Sequence, residues 1–182
     1  MTKALIVFES MFGNTEQVAR AVAEGLRASM EVDVTEVIDA PADPPGDVSL
    51  IVVGGPTEAL SMSRTKTRTD AVRQGGRRGR EDFGLREWMD ALPSRHSNAK
   101  LATFDTKIDK MRRFAGSAAK GAARAGRHHG FDLVVPPENF FVRDTAGPLV
   151  DGELDRARAW GKRLGDLMRP SEEGPARGTA PG

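Results

Sequence analysis

The chain has 182 residues, enough for one domain with a sizeable core. Its 27 Lys and Arg against 26 Asp and Glu leave a formal charge of +1, which excludes a polyelectrolyte role for the molecule as a whole. It has no cysteine, which excludes disulfides, thiolate nucleophiles, Cys-ligated zinc and iron–sulfur clusters, so the electrons of any redox chemistry must reside on a bound cofactor.

Met1-Thr2-Lys3 precedes only the short apolar run Ala4 to Phe8, too brief for a signal peptide or a membrane span, so a cytoplasmic setting without membrane contact is expected. That run reads as a strand buried on both faces of a parallel sheet. Glu9 to Asn14 is a turn. From Thr15, the apolar positions Val18, Ala19, Val22 and Leu26 recur at helical spacing and predict a helix ending near Ala28. Val32 to Val37 alternates as a second, more exposed strand, and a Pro-rich connector from Ala40 to Asp47 leads to a third, Leu50 to Gly54.

Gly55 to Asp82 is polar and irregular. A helix follows with Leu85, Trp88, Met89 and Leu92 on one face, stopped by Pro93. Ala99 to Phe104 predicts a fourth strand, and Ala115 to Gly130 the helix after it, with a small-residue stripe from Ala115 to Ala123 suited to close packing. Phe131 to Val135 and Asn139 to Val142 predict a fifth strand with a proline bend. Leu154, Ala157, Trp160, Leu164, Leu167 and Met168 define a last helix. One domain is therefore expected over residues 1–168, and the Pro/Gly/Ser/Glu-rich residues 169–182 read as a disordered tail. Strands alternating with helices along the whole chain imply an α/β fold with a doubly wound parallel sheet.

In such sheets ligands bind outside the carboxyl ends of the strands. The turn Ser10-Met11-Phe12-Gly13-Asn14-Thr15 lies there, directly before the first helix. A helix start offers unpaired N–H groups and a partial positive charge, which together suit an anion. Gly13 and Asn14 tolerate the positive φ that curls a chain's amides inward, and Ser10 and Thr15 add hydroxyls. Simple helix capping by Thr15 or Asn14 is the plainer use of the same residues.

The stretch Ile6 to Glu16 resembles the flavodoxin signature, in which a Ser/Thr-x-Thr-Gly-x-Thr loop binds the phosphate of FMN. Ser10, Gly13 and Thr15 match, whereas Phe12 replaces the usual hydroxyl residue. The order of elements is similar to the family from residue 3 to about 168, without a long insertion in the fifth strand, and the approach to the last helix from Phe140 to Leu154 is similar too. The resemblance implies a five-stranded sheet of order 2-1-3-4-5 of the short-chain flavodoxin type. It implies FMN as cofactor, phosphate contacts from Ser10, Met11, Phe12, Gly13, Asn14 and Thr15, and ring contacts from Gly55, Pro56, Thr57, Asp105, Thr106 and Lys107 in the loops after strands three and four. Neither loop offers the Tyr or Trp that flavodoxins stack on the ring; Leu60, Met62, Ile108 or Met111 would supply apolar contact instead.

The function implied is that of a flavin redox protein serving a partner protein or a small electron acceptor, with no covalent catalytic residue. The alternative is a flavin-free module of the same fold. It would use Arg64 to Arg80, where seven cations face the single carboxylate of Asp70, to dock an acidic partner, although a solvated loop explains the same charges. No aromatic residue interleaves those arginines, which argues against nucleic acid. His96, His128 and His129 lack partners at ligand spacing, so no metal site is expected. Trp88 and Trp160 read as core.

Overall fold

The computed structural model describes residues 2–76, 81–93 and 98–169. Arg77, Arg78 and Arg80 of the basic segment, His96, and the expected tail from Pro170 onward lie outside the described residues.

The apolar runs become the sheet. β1 (Lys3–Phe8) lies between β2 (Glu31–Glu36) and β3 (Val48–Glu58), and β3 pairs on its other side with β5 (Lys100–Ile108). All of these pairings are parallel: Ile6 sits level with Val34 and Val52, and Val52 with Ala102. Beyond β5, β6 (Asp132–Leu133) and β7 (Glu138–Val142) pair successively with it, Leu133 opposite Leu101 and Phe140 opposite Thr106. Those two pieces are one strand broken at Pro136-Pro137, where no amide hydrogen exists to continue the ladder. Counted that way the parallel order is 2-1-3-4-5, as expected.

Period-two alternation sends the two faces of each strand into separate cores. Ala4, Ile6, Phe8, Leu50, Val52 and Phe104 pack on α1 (Asn14–Leu26) and α5 (Glu153–Met168). Leu5, Val7, Ile51, Val53 and Leu101 pack on α3 (Leu85–Ala91) and α4 (Ala118–His128). Trp160 is a buried member of the first core and Trp88 of the second. The Trp88 indole N–H also donates to Pro41 O at 3.0 Å. α1 and α5 cross with their glycines in contact: a Cβ on Gly161 would stand 2.1 Å from Val22 O, and one on Gly25 2.1 Å from Arg158 O.

The sequence reading fails in three places. β3 does not stop at Gly54, nor β5 at Phe104; Gly55 pairs with Asp105 and Pro56 with Thr106, so the expected ring-binding loops are continuations of the ladder. Beyond Glu58 the chain turns through Ala59 and Leu60, at φ 46° and 61°, into the two-residue strand β4 (Ser61–Met62), antiparallel to β3. Within the segment read as irregular, Thr65–Arg73 forms a further helix, α2.

That helix has no apolar stripe to announce it. Only Arg68 and Ala71 are buried, and Arg68, 1% exposed, is the anchor. Its guanidinium donates to Glu81 O at 2.8 Å and to Ser63 Oγ at 2.8 Å, and Nη2 lies 3.0 Å from Glu87 Oε2. Ser63 in turn donates to Glu9 Oε1 at 2.5 Å, and Glu9 Oε2 accepts from the Leu85 amide at 2.7 Å. A buried charge is tolerable only inside such a set of partners, and this one ties α2 to the end of β1 and the start of α3.

Candidate functional site

The site starts from the exit of β1. Glu9 N donates to Gly54 O, keeping the chain beside β3, and the turn to α1 then closes over Ser10. Ser10 Oγ accepts from Gly13 N at 3.1 Å and from Glu16 N at 3.2 Å. Gly13 caps the helix at φ 87°, a left-handed conformation in which any other residue would be strained, although a side chain there would meet nothing within 4 Å. The glycine is needed for its dihedral and not for space.

Ser10 therefore satisfies two of the turn's amides. Those of Met11, Phe12, Asn14 and Thr15 have no hydrogen-bond partner among the described residues. These same four residues, with Ser10, line a cleft of about 280 Å³ at the carboxyl ends of β1, β3 and β5, whereas Gly13, whose amide is taken, does not. Unpaired amides at a helix mouth, on residues that line a cleft, are the kind of donor set that suits an anion. Thr15 Oγ1 lies 2.7 Å from Thr106 Oγ1 across the cleft floor, joining α1 to β5.

The other expected contacts divide. Pro56, Thr57 and Thr106 line the cleft; Gly55, Asp105 and Lys107 do not. A Cβ on Gly55 would meet Leu85 of α3, on the opposite side of the sheet. The Asp105 carboxylate is fully buried. Its Oδ2 accepts from Thr57 Oγ1 at 2.8 Å and Ala119 N at 3.0 Å, and its Oδ1 from Asn139 Nδ2 at 2.7 Å. Thr57 Oγ1 also accepts from Ala118 N at 2.8 Å, and Ser117 Oγ from Lys120 N at 3.1 Å. Asp105, Thr57 and Ser117 thus cap the first turn of α4. Lys107 Nζ donates to Phe114 O at 2.6 Å and Gly116 O at 2.9 Å, pinning the loop that follows β5. Of the apolar candidates Ile108 reaches the cleft; Met62 is buried against α3 and α4, and Leu60 and Met111 stand outside the lining.

The wall facing the turn from Ser10 to Thr15 is one the sequence reading missed. Thr67, Asp70, Ala71 and Gln74 come from α2 and its end, joined by Glu58 and Ala59 from the close of β3 and by Val142 and Thr145 beyond β7. The signal existed, since positions 67, 70, 71 and 74 fall on one helical face; it is polar where the eye seeks an apolar stripe.

Burial raises the Glu58 carboxyl above the ordinary range, and the Glu9 and Asp70 carboxylates add to that, against the lowering influence of the Thr67 hydroxyl and of Arg68. Glu58 Oε2 is shut off from water without a hydrogen-bond partner among the described residues. The cleft is therefore bipolar, with free amide donors on the α1 side and carboxyl groups on the α2 side.

Among the described residues of the basic segment the cations do not all face the same way. Arg64, Lys66 and Arg73 are exposed and Arg73 pairs with Asp70 at 3.4 Å, but Arg68 points inward. His128 ends α4 with His129 next to it, their rings 5.9 Å apart. Among the described residues no group of three or more His, Asp or Glu side chains could hold a metal ion, and no helix is long and apolar enough to cross a membrane.

The sequence model of the flavodoxin family matches residues 6–60, which run from β1 through the phosphate turn to the end of β3. None of the curated proteins matches the sequence. Among solved structures, oxidised flavodoxin 2 from Bacillus cereus is similar with a TM-score of 0.65 at 18% identity, covering 90% of this chain and 98% of that one. A flavodoxin of Streptococcus pneumoniae gives 0.62 at 18% identity, with coverage of 90% and 98%. A WrbA-like flavodoxin from Agrobacterium tumefaciens gives 0.57 at 16% identity, with coverage of 92% and 97%. The chain thus matches the flavodoxin family's sequence pattern over residues 6–60, through the turn from Ser10 to Thr15, and has a flavodoxin-like fold over about nine-tenths of its length.

Proposed function

We propose that this chain binds FMN and works as a redox protein, with the phosphate held by the turn from Ser10 to Thr15. The observation that carries the reading is the coincidence described above: the turn residues whose amides lack partners are those that line the cleft. Several charge-assisted hydrogen bonds at about 1.5–3 kcal/mol each suffice for a dianion without any Lys or Arg. The turn contains no cation, so the fit rests on backbone donors, on the spare hydroxyl proton of the Thr15–Thr106 pair, and on the α1 dipole.

The remaining lining suits a flat ring. Phe12, Pro56, Ala59, Ile108 and Val142 offer apolar surface, while the Thr106 hydroxyl flanks it as a polar group. No Tyr or Trp lines the cleft among the described residues, so ring contact comes from aliphatic groups and Phe12. The volume sits near the low end of small-molecule pockets. Bound flavin would supply reversible one- and two-electron chemistry, while the chain's own residues bind, orient and set the electrostatic surroundings.

The test is direct. Protein mixed with FMN and passed through a desalting column should retain visible flavin absorbance, and Thr15→Val should weaken FMN far more than riboflavin, because the turn reads the phosphate. Loss of all colour on desalting, or an equal loss of affinity for both flavins, would overturn the reading.

A further inference from the structure

Beyond phosphate anchorage, one ionisable group in the cleft is left with a buried oxygen that nothing pairs among the described residues. Glu9, Glu87, Asp105 and Glu153 are all engaged: Glu9 by Ser63 and the Leu85 amide, Glu87 by Arg68, Asp105 by Thr57, Asn139 and Ala119, and Glu153 by Arg156 and the Phe141 amide. Glu58 differs. It is half-buried at the end of β3, lines the cleft, and keeps one carboxyl oxygen dry and unpaired among the described residues.

Its neighbours do not favour a carboxylate there. From the end of β1 comes Glu9; from α2 come the Thr67 hydroxyl, the Arg68 guanidinium and Asp70. Arg68 is the sole cation of the set; its Nε and Nη1 donate to Glu81 O and Ser63 Oγ, and its Nη2 makes no hydrogen bond among the described residues but lies 3.0 Å from Glu87 Oε2, so its charge is shared first with Glu87. An anion at Glu58 would sit in low dielectric between two other carboxylates, so a proton on it relieves both the burial and the repulsion. Oε2 is closed off from the cleft as it is from water, so an occupant meets the other carboxyl oxygen, and a proton there makes that oxygen a donor in want of an acceptor.

We propose that Glu58 is the proton-holding residue of the cleft, donating a hydrogen bond from the α2 wall to an acceptor atom of the bound ring. The inference rests on the flavin reading and deepens it: the occupant is fixed at one end by amides that want an anion, and at the other by a neutral acid that wants a carbonyl oxygen or an unprotonated ring nitrogen. Occupancy of the cleft then depends on the Glu58 proton, because deprotonation removes the donor and sets an anion against the ring's acceptors.

Two measurements test it on the full chain. In ligand-free protein, carboxyl-carbon NMR with Glu58→Gln to assign the resonance should show Glu58 titrating above the other glutamates; a titration among ordinary glutamates overturns the proposal. Riboflavin is the binding probe, because it carries no phosphate whose own titration would intrude. Wild-type affinity should fall about fivefold to tenfold as pH rises through the Glu58 titration, the size of one lost neutral hydrogen bond. Glu58→Gln, which keeps an N–H donor, should hold the acid-side affinity at every pH, and Glu58→Ala should be weak throughout. A pH-independent wild type, or a Gln variant as weak as the Ala variant, refutes the role of Glu58 alone. A wild type that binds neither flavin at any pH refutes the cofactor reading, and the donor role falls with it whatever the NMR titration shows.

Discussion

The hydroxyl pair on the cleft floor allows a quantitative check on how the site is built. Thr15 Oγ1 and Thr106 Oγ1 are 2.7 Å apart, and the two residues are 2% and 5% exposed. One proton lies in that bond and the second hydroxyl keeps its own, free to donate into the cleft. Thr→Val at either position preserves shape and β-branching, so helix and strand propensities barely change. A single substitution leaves the partner hydroxyl facing a methyl group. A buried polar group so stranded costs about 1–3 kcal/mol, and the cleft's access to water argues for the lower end. The double substitution puts methyl against methyl and strands nothing.

Urea unfolding of the ligand-free protein should therefore show each single variant destabilised by about 1 kcal/mol and the double variant by no more than either single, a coupling of about 1 kcal/mol. Costs that add to within about 0.3 kcal/mol would show that the two hydroxyls do not depend on one another, and the bond would have to be withdrawn as a feature of the site. The same set sharpens the flavin test. Thr106→Val leaves Thr15 with its own proton, so it should weaken FMN less than Thr15→Val does.

Arg68→Met should cost about 3–5 kcal/mol in urea unfolding, because it strands Glu87 and withdraws Ser63 from the set that holds Glu9; a cost below about 1 kcal/mol would mean the α2 anchor is redundant. Burial pushes the Glu87 carboxyl up, but the Arg68 guanidinium beside it outweighs burial and holds the group below the ordinary range. Its contribution to stability is thus present above that range and lost as pH falls through the lowered value, so Glu87→Gln should flatten the acid limb of the stability profile. Glu58 has the opposite sign: its contribution is complete below the ordinary carboxyl value and is lost as pH rises through the raised one, a decline that Glu58→Gln should remove from urea midpoints measured across that window. Gly161→Ala places a methyl 2.1 Å from Val22 O, a backbone atom that cannot swing aside. It should lower stability by about 1–3 kcal/mol through forced separation of α1 and α5, and an unchanged melting temperature would refute that crossing.

Features set by neighbours in the chain were legible. Ala4 to Phe8 and Leu50 to Val53 are apolar because helices cover both their faces, and the turn from Ser10 to Thr15 is a local device whose glycine and hydroxyls sit within six residues. What could not be read was set by partners far away. Asp105 and Lys107 look like loop residues beyond a strand, yet both are strand residues whose charges are met by Asn139, by the α4 amides and by the carbonyls of Phe114 and Gly116. Thr57 looks like a cofactor contact by family pattern, and its hydroxyl is spent on Asp105 and the Ala118 amide. α2 was invisible for a related reason: the side chain that secures it is an arginine, which by type belongs on a surface.

This division bears on how the site can vary. The turn from Ser10 to Thr15, proposed to hold the phosphate, is constrained by backbone geometry, since its donors are amides and its shape depends on Gly13 at φ 87°. The α2 part of the facing wall is constrained chiefly by charge: α2 lies where Arg68 is neutralised, and it carries Thr67, Asp70, Ala71 and Gln74 into the lining. A change of side chain on that face leaves the turn's amides where they are, whereas the loss of Arg68 unseats the part of the wall that α2 supplies. Variation at 67, 70 and 74 should therefore retune what the cleft accepts beyond the phosphate while leaving phosphate anchorage intact. Variants at Arg68 should lose both the wall and its contribution to stability together, because one buried guanidinium serves both.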